Sequence, residues 1–378
     1  MTIPRSVYVH VPFCRHRCGY CNFTLVANRD EWVEGYLNAI EKEISAVNVG
    51  MPAPQEVDTV FLGGGTPSHL SADQLERLIY ILTNKFLFAS EIEFSIEANP
   101  NDITAEKVEL LSSLGVNRFS LGVQSFNSKK LQTLERDHDA QVVRDAIDTI
   151  RKRVADISID LIIGSPGETL ESWQNDLDDV LSINPTHIST YSLTIEKGTQ
   201  FWNRWNRGDL NEVSEDSAAD YYETGIDFLT NNGFDHYEVS NFSRYGFRCR
   251  HNENYWLGKS YYGFGPGAAS YIDGMRGMNH RSTSRYLQLV QSGQSPTVES
   301  ELVDAEASAR EKLIFGLRRI QGIDVNAYRE ETGYTVFELA EKDMNRLLVQ
   351  KLLELEDQTL RLTRSGLLVS DSIWPLFL

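Results

Sequence analysis

Six alternations of a short apolar run with an amphipathic stretch fill the first half of this 378-residue chain, and they restrict its fold most. The runs Ser6–Pro12, Thr59–Gly63, Glu93–Ala98, Arg118–Val123, Ile157–Gly164 and His187–Leu193 have strand length and are rich in Val, Ile, Leu and Phe. Between them, apolar residues recur at three- and four-residue spacing over Glu31–Val47, Ala72–Phe86, Thr104 to Gly115, Gln141–Val154 and Leu170–Ile183. Ser71 and Thr104 offer N-cap hydroxyls, and Gly115 a helix stop. Parallel strands need such crossovers, so the pattern predicts a parallel sheet with helices outside it and several strands buried on both faces. Six units fall short of the eight of a closed barrel. The expected fold is α/β, a partial (β/α)6, TIM-like barrel.

Ligand sites of parallel α/β folds gather where strands end. Here the six ends run into Cys14–Cys21, Gly63-Gly-Gly-Thr-Pro, Glu97-Ala-Asn-Pro, Gln124-Ser-Phe, a strand carrying Asp160, and Tyr191-Ser-Leu-Thr. The first is a C-x3-C-x2-C array, Cys14, Cys18 and Cys21. Its close spacing lets three thiolates converge on a soft metal centre. A four-iron cluster normally takes four cysteines, and the only other one is the distant Cys249. Three would leave one iron open to a small molecule. The alternative is a zinc site with His16 as fourth ligand. Gly63, Gly64 and Gly65 let a ligand approach the main chain closely. Glu97 and Asp160 suit ribose hydroxyls or an amine, Arg136 a carboxylate, and Gln124 either kind of group. Singly each has an ordinary surface role; together they describe a pocket for a zwitterion carrying a sugar.

After Ser214 the rhythm changes. Glu215–Asn231 reads as an acidic helix, Tyr237–Phe242 as a strand, Cys249–Tyr271 as a glycine- and aromatic-rich region, and Ser292–Pro296 as a loop. Helices at Ala305–Ile320 and Val336–Leu353 then precede a hairpin of Thr359–Thr363 with Gly366–Ser370, the pattern of a small winged-helix-like domain. The length suits two or three domains, placed at 1–213, 214–298 and 299–378.

The cysteine array after Tyr8, followed by Gly-Gly-Gly-Thr-Pro-Ser, resembles radical S-adenosylmethionine (SAM) proteins, in particular the oxygen-independent coproporphyrinogen III oxidase family, over nearly the whole chain. That resemblance implies a [4Fe-4S] cluster on Cys14, Cys18 and Cys21, whose open iron is chelated by SAM. Electron transfer from the reduced cluster then cleaves SAM to a 5′-deoxyadenosyl radical. By position in the family motifs, Tyr8, Gly64 and Glu97 match contacts to one SAM. Tyr20, Gly65, Thr66, Gln124, Arg136 and Asp160 match contacts to a second SAM in the oxidase. Two departures set the chain apart from the oxidase: Phe23 stands where it has a further cysteine, and the segment before Cys14 is shorter. His251-Asn252-Glu-Asn-Tyr255-Trp256 is similar to the H-N-x-x-Y-W signature of the family's heme chaperone branch. The similarity implies heme contact by His251, Asn252, Tyr255 and Trp256, and delivery of heme to an acceptor protein.

His ligates heme iron and aromatic rings pack on porphyrin faces; a lone His among aromatics is otherwise a hydrogen-bonded core residue. Cys249, two residues earlier, is another candidate ligand, with an inert buried thiol as its ordinary reading. Three functions follow from this reading. They are a heme chaperone on a radical SAM scaffold, a radical oxidative decarboxylase of coproporphyrinogen III, and a cluster- or zinc-stabilised interaction protein without SAM chemistry. Net charge of −18 disfavours nucleic acid and anionic membranes, so membrane contact is expected only through a partner. Four cysteines and an N-terminus without signal-peptide features suit the cytoplasm, where an electron donor would serve the cluster.

Overall fold

Polar and apolar residues alternate along the strands, and this alternation builds the barrel. The protein is described from a computed structural model covering residues 3–47 and 54–378; residues 1–2 and 48–53, inside the first expected domain, lie outside the described residues. Six strands follow one another in chain order: β1 (Ser6–Val11), β2 (Gln55–Gly64), β3 (Phe86–Ala98), β4 (Arg118–Gln124), β5 (Asp156–Ile163) and β6 (His187–Ser192). Every neighbouring pair is parallel. Val7, Val9, Leu62, Ile96, Leu121 and Ile159 are fully buried in the core that the helices cover. The alternate row, including Tyr8, Phe61, Glu97, Ser120, Ser158 and Asp160, lines a cavity inside the barrel. The strands are thus covered on both faces, as expected, but only the outer face is apolar.

The expected helices are present as α1 (Val33–Val47), α2 (Ala72–Lys85), α3 (Ala105–Ser113), α4 (Ala140–Arg151) and α5 (Leu170–Ser182). Ser71 forms a capping box with Gln74, and Thr104 accepts from Lys107 N. Trp173 of α5 is wholly buried and its indole donates to Tyr221 O at 2.8 Å in α6 (Glu215–Asn231). Burying such a ring contributes about 2–3 kcal/mol.

Beyond α6 the chain extends both edges of the sheet. The single strand expected at Tyr237–Phe242 is two, β7 (Asp235–Glu238) and β8 (Asn241–Ser243), because the chain reverses at Val239-Ser240. β8 runs antiparallel to β6. The aromatic-rich region yields helix α7 (Arg250–Trp256) and β9 (Tyr262–Phe264), which lies parallel to β1. The sheet order is β9-β1-β2-β3-β4-β5-β6-β8-β7 among the described residues. Strands at Ala269–Ile272, Met275–Asn279 and Thr297–Leu302, none of them expected, make a small antiparallel sheet.

The last unit has its own core, formed by Leu313, Leu317, Met344, Leu347, Leu353 and Leu360 among others. Helices α8 (Ala305–Arg318), α9 (Val325–Thr332) and α10 (Val336–Val349) precede a hairpin, a winged-helix arrangement. The hairpin differs from the expected one: Thr359–Leu362 pairs with Leu353–Glu356, while Arg364–Leu368 is helical. Asp357 and Gln358 both take positive φ, the backbone of a two-residue hairpin turn without its usual glycine. Thr363 caps the Arg364–Leu368 helix, its hydroxyl accepting from Gly366 N at 3.1 Å, and Gly366 packs so closely on Leu352 that a Cβ would lie 1.9 Å from the carbonyl oxygen. Arg364 pairs with Glu223 and Asp227 of α6, tying this unit to the barrel. Among the described residues no helix is long and apolar enough to cross a membrane.

Candidate cofactor site

The cavity opens at the C-terminal ends of β1–β6 and has a volume of about 580 Å3. That lies within the roughly 300–1,000 Å3 of small-molecule sites. Cys14, Cys18 and Cys21 stand together on its wall as free thiols. The Cys14 sulfur lies 3.2 Å from Thr66 Oγ1, and Arg136 Nη1 donates to the Cys18 sulfur at 3.6 Å. Burial pushes the Cys14 thiol up to about 12 and the Cys21 thiol up as well, so a metal must displace their protons. Among the described residues, no three His, Cys, Asp or Glu side chains converge closely enough for a single ion. His16 Nε2 instead lies 3.6 Å from Glu135. Among the described residues the buried Arg136 Nε has no partner, so a donor is held ready beside the thiols. Donor set and orphan atom both fit an iron–sulfur cluster with an anionic ligand.

The glycine turn closes on the cysteine loop through the main chain. Gly65 N donates to Val11 O at 2.9 Å, and Thr66 N to Phe13 O at 2.8 Å. At Gly64, φ is +114° and a Cβ would sit 2.5 Å from the His10 ring. His10 Nε2 donates to the Thr24 carbonyl at 2.6 Å, which leaves Nδ1 to accept from the Tyr8 hydroxyl at 3.0 Å. Tyr8 is thereby oriented by the far side of the cysteine loop. Glu97 accepts from Gly64 N at 2.8 Å.

Burial moves Glu97 up to about 7, with Asp160 adding repulsion. Burial likewise moves Asp160 up to about 6, against hydrogen bonds from Ser189 and Ser120, the latter at 3.1 Å. Two carboxyls facing one cavity at raised pKa await cationic or hydroxyl groups. Gln124, also on the cavity, takes φ +69°. The turn after it is fixed by Asp176, which accepts from Ser125 Oγ and Phe126 N and is held by the buried Lys130 at 3.1 Å. Lys130 also pairs with Glu168. Arg136 Nη2 donates to Gly122 O at 2.7 Å, and Tyr20 packs edge-on against Phe201 at 6.1 Å. Phe23 is 59% exposed at the mouth.

The H-N-x-x-Y-W residues divide. His251, Asn252 and Tyr255 line the same cavity; Trp256 is not among its lining residues. Trp256 instead lies under the Arg318 guanidinium at 4.4 Å and near Phe315, both from α8. His251 is 1% exposed and both ring nitrogens are engaged, Nδ1 with Thr59 Oγ1 at 2.9 Å and Nε2 with the Tyr255 hydroxyl at 2.8 Å. Burial lowers it to about 3, so it is neutral at physiological pH. In this arrangement its ring has the form of a hydrogen-bonded core histidine. The lower cavity wall also holds Arg118, Ser158, His187 and Ser189, which sequence reasoning missed although the polar–apolar alternation signals them.

Residues 8–180 match the Radical SAM superfamily, and residues 303–369 the HemN C-terminal domain. The chain is 35% identical over 376 residues to "Heme chaperone HemW" of Lactococcus lactis subsp. lactis (strain IL1403), covering 99% of this chain and 97% of that protein. It is 33% identical to the protein of the same name in Bacillus subtilis (strain 168), covering 99% of each. Among solved structures, coproporphyrinogen III oxidase (HemN) from Escherichia coli, a radical SAM enzyme, superposes with a TM-score of 0.86 at 25% identity, over 99% of this chain and 90% of that one.

Proposed function

The chain belongs to the heme chaperone HemW family of the radical SAM superfamily, and from that premise we propose that it binds heme, a [4Fe-4S] cluster and SAM and delivers heme to an acceptor protein. One observation carries the reading: the thiol trio, the paired carboxyls and three of the four H-N-x-x-Y-W residues share a single cavity. In this proposal Cys14, Cys18 and Cys21 hold the cluster. Tyr8, Gly64 and Glu97 receive the SAM beside it, Glu97 taking the amino group. Tyr20, Gly65, Thr66, Gln124, Arg136 and Asp160 serve a second SAM, with Arg136 on its carboxylate. When bound, the cluster supplies one-electron reduction of SAM. The chain's part is to orient these groups and keep water out.

Heme meets His251, Asn252 and Tyr255 at the cavity wall, and Trp256 ties that wall to α8. The division into 1–213, 214–298 and 299–378 assigns cofactors to the first unit and the heme motif to the second. Four free cysteines suit a reducing compartment such as the cytoplasm, and the acidic surface leaves membrane contact to a partner. A separate electron donor reduces the cluster. The likeness to the E. coli oxidase supports a second reading, decarboxylation of coproporphyrinogen III. An anaerobic preparation separates the two. The chaperone reading expects a Soret band on heme titration, altered by His251→Ala, and no protoporphyrinogen from coproporphyrinogen III with SAM and reductant. Product formation without heme binding would replace it with the oxidase.

A further inference from the structure

Helix α7 carries the H-N-x-x-Y-W residues, yet among the described residues its own N-cap, Cys249, makes no side-chain cap bond. The opening N–H groups of a helix have no partner within it and must find one elsewhere. They find it on the barrel. The Glu93 carboxylate of β3, 7% exposed, accepts from Arg250 N at 2.7 Å on Oε2 and from His251 N at 2.9 Å on Oε1. The Cys249 thiol adds a weaker contact at 3.6 Å.

Glu93 does not act alone. Strand register sets Ser6 beside Thr59 and Thr59 beside Glu93, a row across β1, β2 and β3. Each member holds part of the helix. Ser6 Oγ accepts from Asn254 Nδ2 at 2.5 Å, Thr59 Oγ1 meets His251 Nδ1 at 2.9 Å, and Glu93 takes the two main-chain donors. The two ends of the row fix the backbone and one face of the helix; the middle fixes the imidazole plane. Arg118, ion-paired with Asp156 at 2.7 Å, adds positive charge next to the Glu93 carboxylate.

We propose that the Ser6–Thr59–Glu93 row is the seat of the heme-motif helix, and that Glu93 is a positioning residue for heme uptake. The proposal rests on the heme reading given above and adds to it where heme affinity is set. Glu93 acts through His251 and Tyr255; among the described residues its carboxylate accepts from Arg250, His251 and Cys249, none of them a proposed cluster or SAM residue.

The test uses cluster-loaded, full-length protein under nitrogen, comparing wild type with Glu93→Ala, Glu93→Gln and Thr59→Val. Amide hydrogen exchange is read over 250–256, with heme titration, Soret position, iron content and SAM affinity. Glu93→Ala should speed exchange at Arg250 and His251 about tenfold or more, the scale of lost charge-assisted hydrogen bonds. It should also weaken heme binding by about tenfold and shift the Soret band. Glu93→Gln keeps one acceptor and should recover part of both effects, with iron content and SAM affinity at wild-type values. Thr59→Val, which leaves Glu93 in place, should shift the Soret band with little change in exchange, and it carries the test if Glu93→Ala does not fold. Faster exchange with unaltered heme affinity and spectrum would overturn the positioning role. Unaltered exchange in both Glu93 variants would overturn the seat. Wild-type protein that takes up no heme would remove the heme reading, and exchange alone would then decide the seat.

Discussion

Replacing Glu97 by Gln should make the protein more stable above neutrality while loosening its hold on SAM. The Glu97 carboxyl is raised from its ordinary 4.5 to about 7, chiefly because it is withdrawn from water. Between those values the folded chain keeps a proton that the unfolded chain has released, so stability falls as pH rises through the window and stays lower above it. At about 1.4 kcal/mol per pH unit the full cost is about 3 kcal/mol. The side chain borders an open cavity that admits water, so about 1–2 kcal/mol is the working figure. Gln at this position cannot ionise, and its carbonyl still accepts from Gly64 N. Urea unfolding of cluster-loaded protein under nitrogen should therefore show Glu97→Gln ahead of wild type by about 1–2 kcal/mol near pH 8 and nearly level near pH 5. SAM affinity should drop about tenfold or more, the scale of a lost charge-assisted bond to an amine. A variant no more stable than wild type near pH 8 would show that burial does not raise the Glu97 carboxyl.

Other outcomes follow from single contacts. Tyr255→Phe frees His251 Nε2, and heme affinity by absorbance titration should rise by several-fold, about 1 kcal/mol; an unchanged isotherm would show that this nitrogen is not limiting. Because His251 is neutral far below its usual range, heme binding should be flat from about pH 6 to pH 8 with respect to this residue. Lys130→Met leaves Glu168 and Asp176 buried together without their cation and should cost about 3–5 kcal/mol in urea unfolding. Gly64→Ala places a methyl against the His10 ring at positive φ; melting curves should show a loss of more than about 1 kcal/mol together with weakened SAM binding.

Much of the barrel is readable from particular residues. Apolar runs of strand length separated by capped helices specify six parallel units, and the motifs at their ends gather in one cavity. The inner face was equally legible, since Ser6-Val-Tyr-Val-His-Val states the alternation outright. Buried apolar content draws attention to Val7 and Val9 instead, which is how Ser6, Thr59 and Glu93 escape notice. Tertiary packing hides the rest. Asp357-Gln358 makes a tight turn without glycine, and Gly366 looks like a strand residue although it lies in a helix that Thr363 caps. The four-residue spacing of His251 and Tyr255 puts both on one helix face, but nothing in it points to Thr59 as the partner of the other ring nitrogen. That arrangement depends on a strand nearly two hundred positions away.

The central claim is that three cysteines hold a cluster with one iron left for SAM at the cavity wall. Electron paramagnetic resonance of the anaerobically reduced protein, before and after adding SAM, tests it most directly. Wild type should give a four-iron signal that changes shape on SAM addition and is absent from Cys18→Ser. A signal that SAM leaves unaltered, or a protein carrying one zinc and no iron, would contradict it.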